Sequence, residues 1–207
     1  MSDTTHGATR RRQNTRARLL DAAHEVFGEV GMDAASVEAI CERAGFTRGA
    51  FYSNFESKED LFLALITQLS EGKLDEVAAR VRELDPAAPM SIADLVHAVM
   101  GVSFGKRMEP RLLSEIRTQA LRDPRLAAVY LGWQDGMIAR VERIVDEVAD
   151  AYGLRLRLPA AELARTLVEI SDDTCVRGAI EGRDDEAIGG QLNERLAMLA
   201  EAFIVRD

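Results

Sequence analysis

The sequence predicts an all-α fold of about nine helices, with short helices first and long ones after. Apolar residues recur every three or four positions along most of the 207-residue chain, which is the period of an amphipathic helix. No stretch keeps the strict apolar–polar alternation of a half-buried strand. The composition, 47% hydrophobic and 29% charged, is that of an ordinary soluble globular protein.

The first helix is predicted from an apolar stripe that ends at Gly31, because glycine readily adopts the left-handed backbone of a helix C-terminus. The stripe consists of Leu19, Ala23, Val26, Phe27 and Val30. Residues 1–14 precede it and carry the triplet Arg10–Arg12. We expect a flexible basic arm there.

Two short helices are predicted next, joined by a tight turn. Ser36 is the expected N-cap of the first, which ends at Gly45. Thr47 is the expected N-cap of the second, over residues 48–55. Together with the first helix, these elements define a helix-turn-helix domain at 15–67.

Longer helices are predicted over residues 68–207, which we expect to form a second domain. Ser57, with Asp60 three residues on, is a capping-box start for the fourth helix. Its buried stripe is expected to consist of Leu61, Phe62, Leu65, Ile66 and Leu69. Prolines and caps divide the remainder into five further helices. Their expected starts are Ser91, Pro110, Pro124, Pro159 and Asp185.

Charge is distributed unevenly along the chain. The net charge is −9, but residues 1–58 hold eight Lys or Arg and eight Asp or Glu. Residues 59–207 hold 18 basic and 27 acidic residues and so carry the whole excess. An acidic body would repel DNA and leave the more basic N-terminal end to face it.

Cysteines and histidines are few and scattered: Cys41, Cys175, His6, His24 and His97. Neither a disulfide framework nor a metal site is expected from them, and no cofactor is expected. The Arg triplet leads into polar residues, so we expect no signal peptide. The apolar run Leu61–Ile66 is far too short to cross a membrane. These features predict a cytoplasmic protein.

Two short helices joined across Gly45 have the arrangement of a helix-turn-helix. A glycine between amphipathic helices also occurs in ordinary helical bundles, so the spacing alone leaves DNA binding and plain packing open. If the segment binds DNA, its second helix enters the major groove with its N-terminal residues against base edges. Phe51 and Phe55 lie on one face of that helix and are expected in the core rather than stacked on bases.

The DNA-binding interpretation gives the residues of this segment distinct roles. Arg48 is the long donor at the N-terminal end of the second helix and could pair with guanine through two hydrogen bonds. Gly49 would let the backbone approach the DNA closely. The residues expected to contact phosphates are Ser36, Thr47, Tyr52, Asn54 and Lys58.

The run TRARLLDAAHEVFGEVGMDAASVEAICERAGFTRGAFYSNFESKEDLFLALI, residues 15–66, resembles the N-terminal domain of TetR/AcrR-type transcriptional regulators. Its segment AGFTRGAFYSNFESKEDLF matches that family in order and spacing, whereas the later residues match only in helical layout. The resemblance implies a homodimer on a palindromic operator, usually a repressor released by a small-molecule effector. It places Arg48 and Gly49 against bases and the five residues named above on phosphates. In some members the basic arm, here 10–16, reaches the minor groove.

The resemblance also implies an effector pocket and a dimer interface within 68–207. The interface is expected from helices 159–181 and 185–205, packed as a four-helix bundle with a second copy. The pocket candidates are His97, Met100, Phe104, Met108, Arg117, Trp133, Met137 and Asp173. Methionine and aromatic linings favour a hydrophobic or amphipathic effector. The run Asp172-Asp173-Thr174 replaces the Asp-Gly-Leu of many relatives; it either lines the pocket, favouring a cationic effector, or faces solvent.

Other functional classes have less support in the sequence. No nucleophile–base pair, carboxylate pair or phosphate-binding loop stands out, so we do not expect an enzyme. A helical interaction module without DNA binding is disfavoured by the presence of Arg48, Tyr52 and Lys58 together. A transcriptional activator of the same family remains an alternative, because activation depends on operator position.

Overall fold

The computed structural model describes residues 3–88, 90–100 and 110–206. Within these ranges there are nine α-helices and one ribbon of two short strands, so the all-α prediction is confirmed. The elements are α1 (Asp3–Ala34), α2 (Val37–Ala44), α3 (Arg48–Tyr52), α4 (Lys58–Glu83), α5 (Ile92–Met100), α6 (Pro110–Ala120), α7 (Pro124–Tyr152), β1 (Leu154–Leu156), α8 (Ala160–Ile180), α9 (Asp185–Phe203) and β2 (Ile204–Arg206). No helix in the described ranges is both long and apolar enough to cross a membrane.

The chain divides into two compact units. The first consists of Met1–Leu69 with Arg111–Tyr130, and the second of Ser70–Pro110 with Leu131–Asp207. The sequence placed one boundary near residue 67, whereas the structure groups most of α6 and the start of α7 with the N-terminal helices. Hydrogen bonds between residues far apart in sequence account for this grouping. Gln119 Nε2, for example, donates to Asp33 Oδ1 at 2.7 Å.

Aromatic side chains form much of the core of the first unit. Phe27, Phe51, Phe55 and Phe62 are all buried. The rings of Phe27 and Phe62 meet edge to face with 5.4 Å between centroids, and those of Phe51 and Phe55 lie 5.8 Å apart. Burial of one such side chain contributes about 1.5–3 kcal/mol. The core positions predicted for Phe51 and Phe55 are confirmed.

The turn between α1 and α2 depends on Gly31 and Lys58. Gly31 has φ 78 and ψ 169, which interrupts the helix where the sequence predicted its end. Lys58, at the start of α4, directs its ammonium at the backbone that follows Gly31. Its Nζ donates to the carbonyls of Met32 at 2.6 Å and Ala35 at 3.0 Å. Carbonyls at a helix end lack intrahelical donors, so this lysine satisfies groups that would otherwise need water.

The N-terminal segment differs from the flexible arm expected at 1–14. In the structure α1 begins at Asp3, so residues 3–14 are the first turns of a helix. Arginine and glutamine, which make up residues 10–13, are good helix formers and extend the helix beyond its apolar stripe.

The caps predicted for α4 and α5 are confirmed. The Asp60 N–H donates to Ser57 Oγ at 3.1 Å, and the Asp94 N–H donates to Ser91 Oγ at 3.0 Å. The Ser91 hydroxyl in turn donates to Asp94 Oδ2 at 2.6 Å. Hydrogen bonds from Ser91 hold the pKa of the Asp94 carboxyl below its ordinary value.

In the second unit α8 packs closely against α9. A Cβ on Gly178 would lie 2.4 Å from Ile188 Cγ1, so only glycine allows this approach. Arg195 Nη1 of α9 donates to the hydroxyl of buried Thr174 on α8 at 2.7 Å. β1 follows α7 and β2 follows α9. The two strands pair antiparallel, with Arg155 opposite Val205. The sequence did not predict this ribbon, because three-residue strands are too short to show alternation.

Candidate nucleic-acid interface

α2 and α3 meet at a turn built on Gly45. Ser36 Oγ accepts a hydrogen bond from the Ala39 N–H at 3.1 Å, which confirms the predicted N-cap of α2. Gly45 is left-handed, with φ 72 and ψ 35, and its N–H donates to the Glu42 carbonyl. The next amide, of Phe46, donates to the carbonyl of Cys41, one residue earlier in α2, at 2.9 Å. This pair of bonds is the Schellman ending, and it fixes the direction in which the chain enters α3.

The exposed start of α3 carries Thr47, Arg48 and Gly49. Thr47 Oγ1 accepts from the Ala50 N–H at 3.2 Å, so the predicted cap of α3 is confirmed. A Cβ built on Gly49 would find Thr47 Oγ1 as its nearest neighbour, at the ordinary contact distance of 3.7 Å. The fold itself therefore has room for a side chain at position 49.

Arg48 is charged and exposed, with 61% of its side chain accessible. Its Nη1 lies 2.6 Å from Oε1 of Glu38 on α2, and its guanidinium carbon lies 5.9 Å from the centre of the Tyr52 ring. Hydrogen bonding to Tyr52, and next the negative charge of Glu38, raise the pKa of the Arg48 guanidinium. Glu38 was not predicted as a site residue from the sequence. No pattern along the chain showed that it faces Arg48 across the turn.

The remaining predicted phosphate contacts have different environments. Tyr52 is 51% exposed. Asn54 Nδ2 donates to the Ala50 carbonyl at 2.8 Å and to Ser53 Oγ at 3.2 Å. Lys58 directs its ammonium at the turn after α1, as described above. Asn54 and Lys58 thus use donors within the fold, and phosphate contact by these residues stays a prediction.

Three arginines of α1 support α2 and α3. Their hydrogen bonds run from Arg12 Nη2 to Ser53 O (3.2 Å), from Arg16 Nη1 to Asn54 O (3.0 Å) and from Arg18 Nη2 to Ala44 O (2.8 Å). All three acceptors lie at or just beyond helix C-termini, where positive charge is favourable. From the sequence, this basic region is a candidate DNA-contacting arm, and its packing role was not predicted. The four-residue spacing of Arg12 and Arg16 was the available signal, because it places both on one helix face.

The predicted effector-pocket residues do not form one described group. Phe104 and Met108 lie outside the described residues. Arg117 belongs to the first unit, where its Nε donates to the Tyr130 hydroxyl at 2.7 Å. The other candidates belong to the second unit: His97, Met100, Trp133, Met137 and Asp173.

Within the second unit, two of these candidates have well-defined neighbours. Met137 packs against a buried cluster that includes Ile138 and Ala164. Asp173 is exposed, and its Oδ2 lies 3.2 Å from Nη1 of Arg195. A pocket lined by these residues stays a prediction.

Known proteins match the chain over different lengths. The model of the bacterial regulatory proteins of the tetR family matches residues 19–65. The HTH-type transcriptional regulator UidR of Escherichia coli K12 is 37% identical over 121 residues, which are 56% of this chain and 57% of UidR. The HTH-type transcriptional repressor AcnR of Corynebacterium glutamicum is 28% identical over 184 residues, 87% of this chain and 89% of AcnR. A TetR transcription regulator from Haloarcula marismortui has a TM-score of 0.71 at 18% identity and covers 93% of this chain and 100% of that one.

The fold and the α2–α3 site together define a protein of the helix-turn-helix class. With the matching family model, the likeness to UidR and the shared fold, they show that the chain resembles TetR/AcrR-type regulators in the sequence of residues 19–65 and in fold. The likeness to the Haloarcula structure concerns the fold alone. The match to UidR spans 57% of that protein's length.

Proposed function

We propose that this chain binds a palindromic DNA operator as a homodimer and represses transcription until a small-molecule effector releases it. Arg48 carries the proposal. It is a charged, exposed side chain at the N-terminal end of a capped helix, the end that meets base edges in a helix-turn-helix. The likeness to AcnR, which is named a repressor, supports the direction of regulation.

The proposed contacts divide into base and phosphate contacts. Arg48 pairs with guanine, and Gly49 allows the backbone to come close to the DNA. Ser36 and Thr47 accept hydrogen bonds from backbone amides, but each hydroxyl keeps its own O–H donor for a phosphate oxygen. Tyr52, which is half exposed on α3, donates its hydroxyl hydrogen to a phosphate oxygen as well. Phosphate contacts set affinity and register without reading sequence.

The proposed dimer forms through α8 and α9. Ile180 of α8 is 80% exposed and Met198 of α9 is 65% exposed, so each chain presents large apolar side chains to water on these helices. A four-helix bundle with a second copy offers a place to bury them. A symmetric dimer would set its two α3 helices about 34–36 Å apart, one turn of DNA, or a longer matched spacing. Met198→Glu should convert the dimer to a monomer in sedimentation velocity.

The proposed effector binds in the second unit, which holds most of the predicted pocket residues. To release the operator, the effector must bind the DNA-incompetent state more tightly, by about 1–3 kcal/mol in a typical allosteric protein. Hydrophobic and cationic compounds are the two classes to screen first, by their effect on the melting temperature.

Selection of random duplex DNA by the purified full chain, followed by sequencing, tests the proposal. We expect enrichment of a palindrome whose half-sites contain guanine. The Arg48→Ala variant, selected in parallel, should lose preference at that guanine. No enrichment by the wild-type protein at low salt, where phosphate contacts are strongest, would overturn the proposed DNA binding.

A further inference from the structure

Glu38 forms an ion pair with the arginine proposed to read bases. Its Oε1 lies 2.6 Å from Arg48 Nη1, although the two residues belong to different helices. Both side chains are largely exposed, 59% for Glu38 and 61% for Arg48. The Gly45 turn brings the first turn of α2 beside the start of α3 and so sets the distance between them. A carboxylate thus stands at the surface that would face DNA phosphates.

We propose that Glu38 is a specificity-determining residue, which positions Arg48 for guanine and opposes its use on phosphates. This inference rests on the proposed function, because it assigns a second residue to the same DNA-reading site.

The geometry of guanidinium groups allows this role. Arginine carries five N–H donors in a rigid planar fork. Binding of guanine O6 and N7 uses two of them. One edge of Arg48 can therefore stay on Glu38 while the remaining donors meet the base. A guanidinium held at one edge has fewer orientations to lose when it binds.

The charge of Glu38 acts on the alternative contact. A phosphate that approached Arg48 would also approach the Glu38 carboxylate, and like charges repel. On non-operator DNA, where no guanine is correctly placed, Arg48 gains little from the phosphate backbone. The pair should therefore lower non-specific affinity more than operator affinity, and a ratio of affinities is what defines specificity.

The test compares Glu38→Gln with Glu42→Gln in the full-length protein. Glu42 lies one turn further along α2, is exposed, and carries the same charge on the same helix. Both variants remove one negative charge per chain, but only the first removes the charge that is paired with Arg48. Affinity is measured on the selected operator, on its variants at the guanine proposed for Arg48, and on a duplex without operator, over a range of salt concentrations.

For Glu38→Gln we expect the preference for guanine to fall about tenfold, within the range of one bidentate base contact. On non-operator duplex, affinity should rise several-fold. The plot of log affinity against log salt should steepen by about 0.9 for each phosphate that Arg48 newly neutralises. Glu42→Gln should leave the guanine preference and the salt slope as in the wild type. In an Arg48→Ala background, Glu38→Gln should no longer change base preference.

Two results would overturn the inference. One is a Glu38→Gln profile that matches Glu42→Gln in base preference and salt slope. The other is a change in base preference that persists when Arg48 is already alanine. These outcomes are distinct from failure of the proposed function, in which the wild-type protein itself enriches no sequence.

Discussion

The carboxylate of Glu115 accepts a hydrogen bond from the backbone N–H of Met32, with 2.6 Å between Oε2 and the nitrogen. Glu115 lies on α6, and Met32 is fully buried directly after the glycine that interrupts α1. A Cβ on Gly31 would lie 3.0 Å from Glu115 Oε1. The space beside the α1–α2 turn is thus occupied by an acid 83 residues away in sequence. Residues of α6 therefore help to set the turn that leads into α2.

Glu115→Ala should destabilise the first unit. A hydrogen bond to a charged group contributes about 1.5–3 kcal/mol, and its loss leaves a buried amide without this acceptor. Glu115→Gln keeps an acceptor oxygen and should cost clearly less. Urea unfolding and hydrogen exchange of the Met32 amide measure both effects. Equal stability of the alanine variant and the wild type would show that the turn does not depend on this contact.

Lys58→Met should lower stability as well as DNA affinity. Methionine keeps most of the aliphatic stem but cannot donate to the Met32 and Ala35 carbonyls, and the expected loss is about 1–3 kcal/mol. Lys58→Arg retains donors and should recover part of the loss. If Lys58→Met weakens DNA binding on all sequences while the unfolding free energy is unchanged, phosphate contact is the main role of this lysine.

Gly49→Ala and Gly45→Ala should have opposite effects on folding. Gly49 is helical and has space for a methyl group, so alanine should stabilise α3 by up to about 1 kcal/mol. The Gly49→Ala variant should nevertheless bind the operator more weakly, because the added methyl group prevents close approach of the backbone to the DNA. Gly45 has φ 72, which strains any residue with a Cβ, so alanine there should lower the melting temperature. Calorimetry and operator titration of the two variants check both statements. Undiminished affinity in Gly49→Ala would mean that the backbone does not approach DNA at this position.

Gly178→Ala should disrupt the packing of α8 on α9. The added Cβ would lie 2.4 Å from Ile188 Cγ1, and overpacking of this kind costs about 1–3 kcal/mol. Ile188→Ala opens space at the same place, so the double variant should be less destabilised than the sum of the two single ones. Additive losses would show that the two helices can separate to accept the methyl group.

The sequence predicted the parts of the site that depend on local chemistry. Ser36 and Thr47 cap their helices and Gly45 ends α2, because hydroxyl acceptors and left-handed glycines act within a few residues. The helix-turn-helix could therefore be placed to within three residues. The largest difference is the end of α3, which was predicted at residue 55 and lies at Tyr52.

The parts that escaped prediction depend on contacts between distant segments. Three contacts arise only when helices pack. They are the Glu38–Arg48 pair, the hydrogen bonds from arginines of α1 to the ends of α2 and α3, and the contact of Glu115 with the turn at Gly31. Polar residues on amphipathic helices look alike in sequence whether they face water or a partner. For the same reason the grouping of residues 111–130 with the N-terminal helices left no signal in composition or spacing.

The most direct test of DNA reading through α3 is a titration of the selected operator and its single-base variants with wild-type protein and with Arg48→Ala. We expect Arg48→Ala to lose about 1–3 kcal/mol on the operator and to become indifferent to the base at one position of each half-site. Tyr52→Phe, which removes a hydroxyl proposed to contact phosphate, should weaken binding on every variant. An equal loss on all sequences with Arg48→Ala would contradict base reading by this arginine.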